Sequence, residues 1–347
     1  ADVQAHIPTE TQTLHRLLQI HRLSTQAVAL ATDVVVVDEA SMIDLEMMTR
    51  LLQAVPPTAR LILLGDKDQL ASVEAGAVMA QLCAGSLLRA QTVTLTYSHR
   101  FAAQGGIGQW AQAVNADVPD NTPALQALWA AAPDWLASLP RATDPTDTAP
   151  APDVTRLELP HAHDRQLAAG LRHGWRAWLA LLRPHLSTTA QPGTPCTDAH
   201  ALALLKAFTQ FSVLGAVREG PLGVVQLNTH IEQALGLGQG TWYVGRPVMV
   251  TRNNYALGLM NGDIGLCLPA PDGVLRVAFP NATGGVHWVT PSRLDHVETV
   301  FAMTVHKSQG SEFSHVLLAL PAQESAVLTR ELVYTGLTRA RDRLTVW

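Results

Sequence analysis

The chain has 347 residues, a formal net charge of −5 and a mean hydropathy of +0.11. Hydrophobic residues make up 47%, which excludes wholesale disorder, and the length suits about two domains. The negative net charge excludes a general polyanion-binding coat, and the charged fraction of 15%, against about 25% in typical globular chains, points to apolar surface reserved for partner subunits.

Thr11–Leu23 carries Leu14, Leu17 and Leu18 at helical spacing. Val34–Val37 is a continuous β-branched run, the texture of a parallel strand covered on both faces. Leu45–Val55 has helical periodicity and is stopped by Pro56-Pro57. Leu61–Leu64 reads as a second buried strand, so strand, helix and strand form a βαβ unit. Residues 133–166 are punctuated by proline, threonine and aspartate and read as a linker or loop. Leu167–Leu186 reads as one helix with Trp175 and Trp178 on a leucine-rich, core-type face. From His200 a helix, a strand over Phe211–Ala216 and a helix over Asn228–Leu235 follow.

The texture then changes. Between 241 and 299 short apolar runs alternate with Asn261-Gly262, Asp272-Gly273 and Gly284-Gly285. These are hairpin signals, and they predict a small antiparallel barrel inserted in a larger domain. Val300–Thr304, Val316–Ala319 and Leu344–Trp347 return to buried-strand texture. No internal repeat is visible.

Only three of the 24 basic residues are lysines, Lys67, Lys206 and Lys307. None follows a glycine, so these residues hold no Gly-Lys-Ser/Thr phosphate-binding loop. The excess of arginine fits codon bias in a GC-rich genome. The cysteines Cys83, Cys196 and Cys267 are scattered and odd in number. They suit neither a disulfide framework nor a zinc site and point to a reducing, cytoplasmic setting. No apolar run is long enough for a membrane span, and no signal peptide is apparent.

Two motifs carry chemistry. Val34–Val37 runs into Asp38-Glu39-Ala40-Ser41. An aspartate at a strand's carboxyl end can hold Mg²⁺, and the next glutamate can activate a water. After the second strand comes Gly65-Asp66-Lys67-Asp68-Gln69-Leu70, where Gln69 could report a terminal phosphate or position the attacking water. Other features are structural in weight: His161-x-His163-Asp164 lacks a third ligand in pattern, and no clustered-carboxylate nuclease signature is present.

These two motifs resemble motifs II and III of superfamily 1 helicases, most closely the RecD type, the alpha subunit of exodeoxyribonuclease V. Later segments agree in order. Tyr97–Phe101 resembles motif IV, though loosely, since the family's usual form has a tyrosine directly before the arginine. Pro247–Asn253 with Asn261-Gly262-Asp263 resembles the family's late insertion. Thr304–Phe313 resembles motif V, and Val333–Arg341 resembles motif VI.

The resemblance implies an α/β fold: two RecA-like P-loop NTPase-type domains, the first truncated, with a small SH3-like β-barrel insertion. The domains would be residues 1–116 (motifs Ib, II and III, running into IV), a linker and helical segment at 117–199, a second domain at 200–240 plus 300–347, and the barrel at 241–299. ATP would occupy the cleft between the RecA-like domains. Asp38 would hold Mg²⁺ through water, Glu39 and Gln69 would serve hydrolysis, and Arg100 and Arg339 would neutralise the transferring phosphoryl group. Gln309, Gly310 and Glu312 would lie near the nucleotide. Thr13 and His15 of motif Ib, Thr304 and His306 of motif V, and Arg252 and Asn253 of the barrel would contact DNA.

The implied activity is an ATP-dependent 5′-to-3′ DNA helicase subunit of exodeoxyribonuclease V in break repair and recombination. It would act on single-stranded DNA and duplex ends with RecB- and RecC-like subunits, and with no membrane. The residues begin after motifs I and Ia, so this chain alone is expected to be inactive. The alternative is a non-catalytic module for single-stranded DNA or a partner subunit; such a module has no use for Asp38, Glu39, Gln69 and Arg339 together.

Overall fold

A computed structural model describes residues 11–18, 29–71, 77–95, 105–139, 152–159, 164–186, 193–238, 240–323 and 325–347. The chain forms two compact units, Ala1–Leu95 and Thr96–Trp347.

The first unit contains α1 (Leu14–Leu17), β1 (Val34–Val37), α2 (Leu45–Ala54), β2 (Arg60–Leu63) and α3 (Val78–Ala84). β1 and β2 pair in parallel, with Val34 opposite Arg60 and Val37 opposite Leu63. Asp44 starts α2 by accepting the Met47 amide at 2.7 Å, and the helix ends at Val55 before the proline pair. Val35, Val37, Met48, Leu51 and Ala54 form the core, joined by Leu18 of the α1 turn. The expectation of a doubly covered strand needs correction here. Alternate residues of a strand face opposite sides. Val34 and Val36, on the face away from α2, are 50% and 58% exposed.

The second unit begins with α4 (Gly106–Asn115), α5 (Thr122–Ala131), β3 (Val154–Arg156), α6 (Arg165–Gly174) and α7 (Arg176–Leu182). α8 (Asp198–Phe208), β4 (Phe211–Gly215) and α9 (Val224–Leu235) follow. Next come β5 (Pro247–Val250), β6 (Ile264–Pro269), β7 (Leu275–Pro280), β8 (Val286–Val289) and β9 (Val297–Thr299). The unit closes with β10 (Ala302–Thr304), β11 (Phe313–Ala319), α10 (Arg330–Thr338) and β12 (Ala340–Val346). One sheet is parallel, in the order β10-β4-β11-β12-β3.

Within this unit, which starts at Thr96, α4 packs on α10. Two sequence expectations change here. Part of the expected linker is folded: β3 is an edge strand, Trp135 N donates to its Arg156 O at 2.8 Å, and Arg156 N donates to Pro133 O at 2.9 Å. Thr155 Oγ1 lies 2.8 Å from Thr345 Oγ1, fixing β3 to β12 from within the core. The single helix expected over 167–186 is two, broken at Trp175 and followed by a 3₁₀ turn at Arg183–His185. Gly174 allows that break to press on Phe211, where a β-carbon would collide with the ring. Trp175 and Trp178 are fully buried beside Phe208, Phe211 and Phe301, as core residues.

The inserted segment is a five-stranded antiparallel sheet, order β8-β7-β6-β5-β9. Gly262, Gly273 and Gly284 adopt positive φ at the three hairpin connections the sequence marks. β9, of three residues, returns to pair with β5, so that the first and last inserted strands are neighbours and β8 lies at the other end of the order. One face, with Leu266, Leu268 and Ala278, joins the main core; the other, with Cys267, Val277 and Phe279, closes on Leu257 and Leu259. The three cysteines are free thiols, and burial pushes Cys196 up to about 11 and Cys267 up to about 12, so neither is reactive.

His315 of β11 makes the second unit sensitive to pH. Its Nε2 sits 2.9 Å from Thr345 Oγ1 in the core. Burial, helped by the charges of Arg343, His173 and Arg176, pulls its imidazole down to about 3. An unfolded histidine titrates near 6.5. Below that value the unfolded chain takes up a proton that the folded unit refuses until about pH 3. Stability therefore falls as pH falls through this window, by at most about 1.4 kcal/mol per pH unit. Calorimetric melts between pH 7 and 5 should show this decline, and His315→Gln should flatten it. An unchanged slope in the variant would assign the effect to other groups.

Candidate nucleotide and nucleic-acid site residues

In the first unit the chemistry gathers at the carboxyl ends of β1 and β2. The ladder continues past both strands: Leu64 N donates to Val37 O and Ala40 N to Leu64 O, each at 2.8 Å. This brings Asp38-Glu39 beside Gly65-Asp66. Asp38 is exposed, and its Oδ1 accepts the Glu39 amide at 2.9 Å. Glu39 has φ 53° and ψ 39°, the one non-glycine residue at positive φ among those described. Such a conformation costs on the order of 1–3 kcal/mol and is kept where the surroundings over-determine it. Here Ala40 and Ser41, buried directly after it, hold the turn.

Gly65 permits this approach. A β-carbon there would lie 3.0 Å from Ser41 N and 3.2 Å from Ala40 N, both backbone atoms. Gly65→Val should destabilise the first unit by about 1–3 kcal/mol, read by denaturant unfolding of the chain. A wild-type midpoint would show that the strand ends can separate freely.

Gln69 is held by a residue to which the sequence pattern attaches no role. Asp66 accepts the Asp68 amide at Oδ1 (3.0 Å) and the Gln69 side chain at Oδ2 (3.2 Å), while its carbonyl accepts Gln69 N. An aspartate opening a tight turn is the signal that could have found it. Lys67 pairs with Asp68 at 2.7 Å on the surface, which contributes little.

For a divalent cation, Asp38 offers one exposed carboxylate at a strand end. Among the described residues no group of three or more metal-type ligands exists. A lone carboxylate fits Mg²⁺, which keeps most of its waters and takes its remaining ligands from substrate phosphates. It does not fit a zinc or calcium cage.

α1 carries the two motif Ib residues. Thr13 caps the turn by accepting the Arg16 amide at 3.4 Å, and both Thr13 and His15 are exposed. Leu14 packs towards the core, which leaves its polar neighbours outward.

In the second unit, motifs V and VI meet. Thr304 ends β10 and its Oγ1 accepts the Lys307 amide at 3.3 Å. His306 opens a 3₁₀ turn, His306–Ser308; partial burial holds its imidazole below the ordinary range. Lys307 Nζ is bonded to Glu298 of β9, which also has Arg218 3.9 Å from its second oxygen. Gln309 and Gly310, the latter at φ 75°, turn the chain into Ser311.

Arg339 is 2% exposed, at the end of α10. Its Nε donates to Thr335 O and its Nη1 to Ser311 O, each at 3.3 Å, and its carbonyl accepts Phe313 N at 3.0 Å. Arg339 and Gly310-Ser311 are therefore neighbours, while Glu312 is exposed beside them. Arg341, next on β12, donates to Ser314 Oγ at 2.6 Å. Arg252 and Asn253 lie apart from this cluster, exposed on the loop between β5 and β6. Arg100, with the rest of Tyr97–Phe101, and the pair His161 and His163 lie outside the described residues. Asp164 caps α6 by accepting the Gln166 amide.

Known proteins resemble this chain along most of its length. Residues 1–134 match the AAA domain family, and residues 299–347 match the UvrD-like helicase C-terminal domain family. The chain is 39% identical over 349 residues to the RecBCD enzyme subunit RecD of Mycolicibacterium smegmatis, covering 96% of the chain and 54% of that protein. It is 34% identical to the RecD subunit of Haemophilus influenzae, covering 98% and 55%. The ATP-dependent RecD2 DNA helicase of Deinococcus radiodurans is 31% identical, over 90% and 36%. Among solved structures, a Bacteroides Pif1 bound to ssDNA aligns over 96% of this chain and 78% of that one, with a TM-score of 0.49 and 14% identity. The chain thus spans about half the length of the curated RecD subunits it matches.

Proposed function

The chain belongs to the RecD family of superfamily 1 helicases, and from that premise we propose that it carries the hydrolytic and DNA-gripping parts of an ATP-driven 5′-to-3′ DNA helicase subunit. The observation that carries this reading is the gathering of Asp38, Glu39 and Gln69 at two adjacent parallel strand ends. In open parallel sheets such ends face the ligand.

Asp38 would hold Mg²⁺, which would supply positive charge to the phosphates; Glu39 takes the proton of the attacking water, and Gln69, steadied by Asp66, senses the terminal phosphate. Arg339 and Arg100 supply positive charge to the transferring phosphoryl group. Gln309, Gly310 and Glu312 line the nucleotide. Thr13, His15, Thr304 and His306 touch the DNA backbone with hydroxyl and imidazole groups, which position a strand without reading its sequence. Arg252 and Asn253 are the contribution to that grip of the inserted segment, which forms a small SH3-like barrel. The working assembly includes RecB- and RecC-like subunits.

These 347 residues lack the glycine-lysine loop that cradles phosphates, so the chain by itself binds nucleotide poorly and does not turn it over. The test uses the protein extended upstream to include a Gly-x-x-x-x-Gly-Lys-Ser/Thr loop, with its partner subunits. DNA-stimulated ATP hydrolysis and strand displacement from a 5′ overhang are expected. Absence of both from the assembled complex would overturn the motor reading and leave the non-catalytic binding module in its place.

A further inference from the structure

A single-stranded nucleic acid presents two kinds of surface, a charged backbone and unstacked base faces. The backbone contacts named above use only the first. Among the described residues one aromatic ring is exposed enough to meet the second. Tyr255, on the loop between β5 and β6, is 78% exposed; the other described aromatic rings are buried or partly covered.

The loop that carries Tyr255 is built, not slack. Asn254 and Leu259 exchange backbone bonds, Asn254 N to Leu259 O at 2.7 Å and Leu259 N to Asn254 O at 3.0 Å. Between them Leu257 N donates to Asn254 O at 3.1 Å, and Gly258 turns at φ 65°. Leu257 and Leu259 point inward, 7% and 3% exposed, against Val248, Val250, Cys267 and Phe279. Past the turn, Met260 N donates to Asp263 Oδ2 at 2.7 Å and Gly262 N to Val250 O at 2.8 Å. Two leucine anchors and a closed ladder hold the tyrosine at the outer end.

The ring itself is steadied by Asn253. Its Nδ2 donates to the Tyr255 hydroxyl at 3.3 Å, and its Oδ1 accepts the Asn261 amide at 2.7 Å. Both ends of the Asn253 amide are thus engaged within the loop. Arg252, exposed beside it, adds a guanidinium at the surface.

We propose that Tyr255 is a base-stacking platform for single-stranded nucleic acid, with Asn253 as its positioning residue and Arg252 as the adjoining phosphate contact. The inference rests on the helicase reading and refines it. It reassigns Asn253 from a direct contact to a support. The physical case is that a pre-ordered aromatic ring loses little freedom when a base covers it. Every base has a π-face, so stacking grips a moving strand without reading its sequence. Duplex DNA keeps its base faces covered, so the platform selects the single strand.

The experiment measures fluorescence anisotropy of the full-length protein with labelled oligothymidylate and with an abasic strand of equal length and charge. Tyr255→Ala should weaken binding of oligothymidylate by about tenfold, the loss of roughly one base–aromatic stack, and leave the abasic strand unchanged. Tyr255→Phe and Tyr255→Trp should stay within about threefold of wild type. Asn253→Ala should weaken oligothymidylate binding less, and add nothing to Tyr255→Ala. Because the ring is exposed, the melting temperature should not move. A Tyr255→Ala protein that binds both strands as wild type does, or loses both equally, overturns the stacking role while leaving the helicase reading standing. Wild-type protein that binds no single strand overturns both. Loss of partner-subunit association in Tyr255→Ala, with DNA binding intact, would make the loop a protein contact instead.

Discussion

Replacing Glu39 with glutamine, in the protein that includes its phosphate-binding loop, is expected to lower kcat for DNA-stimulated ATP hydrolysis by about 10²–10⁴-fold, the usual worth of a positioned general base. The amide keeps the shape and loses the proton acceptor. Nucleotide affinity should hold, because Asp38 and the backbone geometry remain. The αL turn at Glu39, bound on one side to Asp38 Oδ1 and on the other to the β2 ladder through Ala40, does not depend on the carboxylate. Single-turnover hydrolysis and equilibrium binding of a fluorescent nucleotide separate the two effects. Retained turnover would remove Glu39 from the chemistry and leave it a strained turn residue.

Arg339→Ala should cost about 10³–10⁵-fold in kcat, the range associated with an arginine that neutralises a phosphoryl transition state. This residue is buried, so a fold defect could imitate a catalytic one. Arg339→Lys provides the control. Lysine keeps a charge but cannot span both Thr335 O and Ser311 O with a planar fork. It should fold, bind DNA, and still lose most of the turnover. A lysine variant with wild-type kcat would reduce Arg339 to a structural clamp between motifs V and VI.

Much of the site is legible in the sequence, because its signals are local. Asp38-Glu39 follows four β-branched residues, and Gly65-Asp66 follows a second apolar run; each motif needs only its own flank to be read. Arg339 is legible only through the ordered set of motifs around it, since one arginine among many has no local signature. Asp66 and Tyr255 escape a sequence reading for opposite reasons. Asp66 acts through a turn bond to Gln69 that leaves no mark on periodicity. Tyr255 gains meaning only from being exposed, and exposure is decided by where Leu257 and Leu259 go.

By itself, then, the sequence determined the parallel βαβ start, the strand ends bearing carboxylates, the hairpin glycines at 262, 273 and 284, and the lack of a glycine-lysine loop in these residues. Each follows from spacing, steric freedom or charge within a few neighbours. Tertiary structure decided the rest. β3 joins the sheet across 188 or more positions of chain, through the Thr155–Thr345 and Trp347–Leu159 bonds. β9 pairs with β5, across the other inserted strands, since nothing in a three-residue strand announces which neighbour it will meet. One face of β1 stays exposed because covering it depends on which elements pack there, and not on the valines themselves. Local preference specifies an element; only long-range packing specifies its partners.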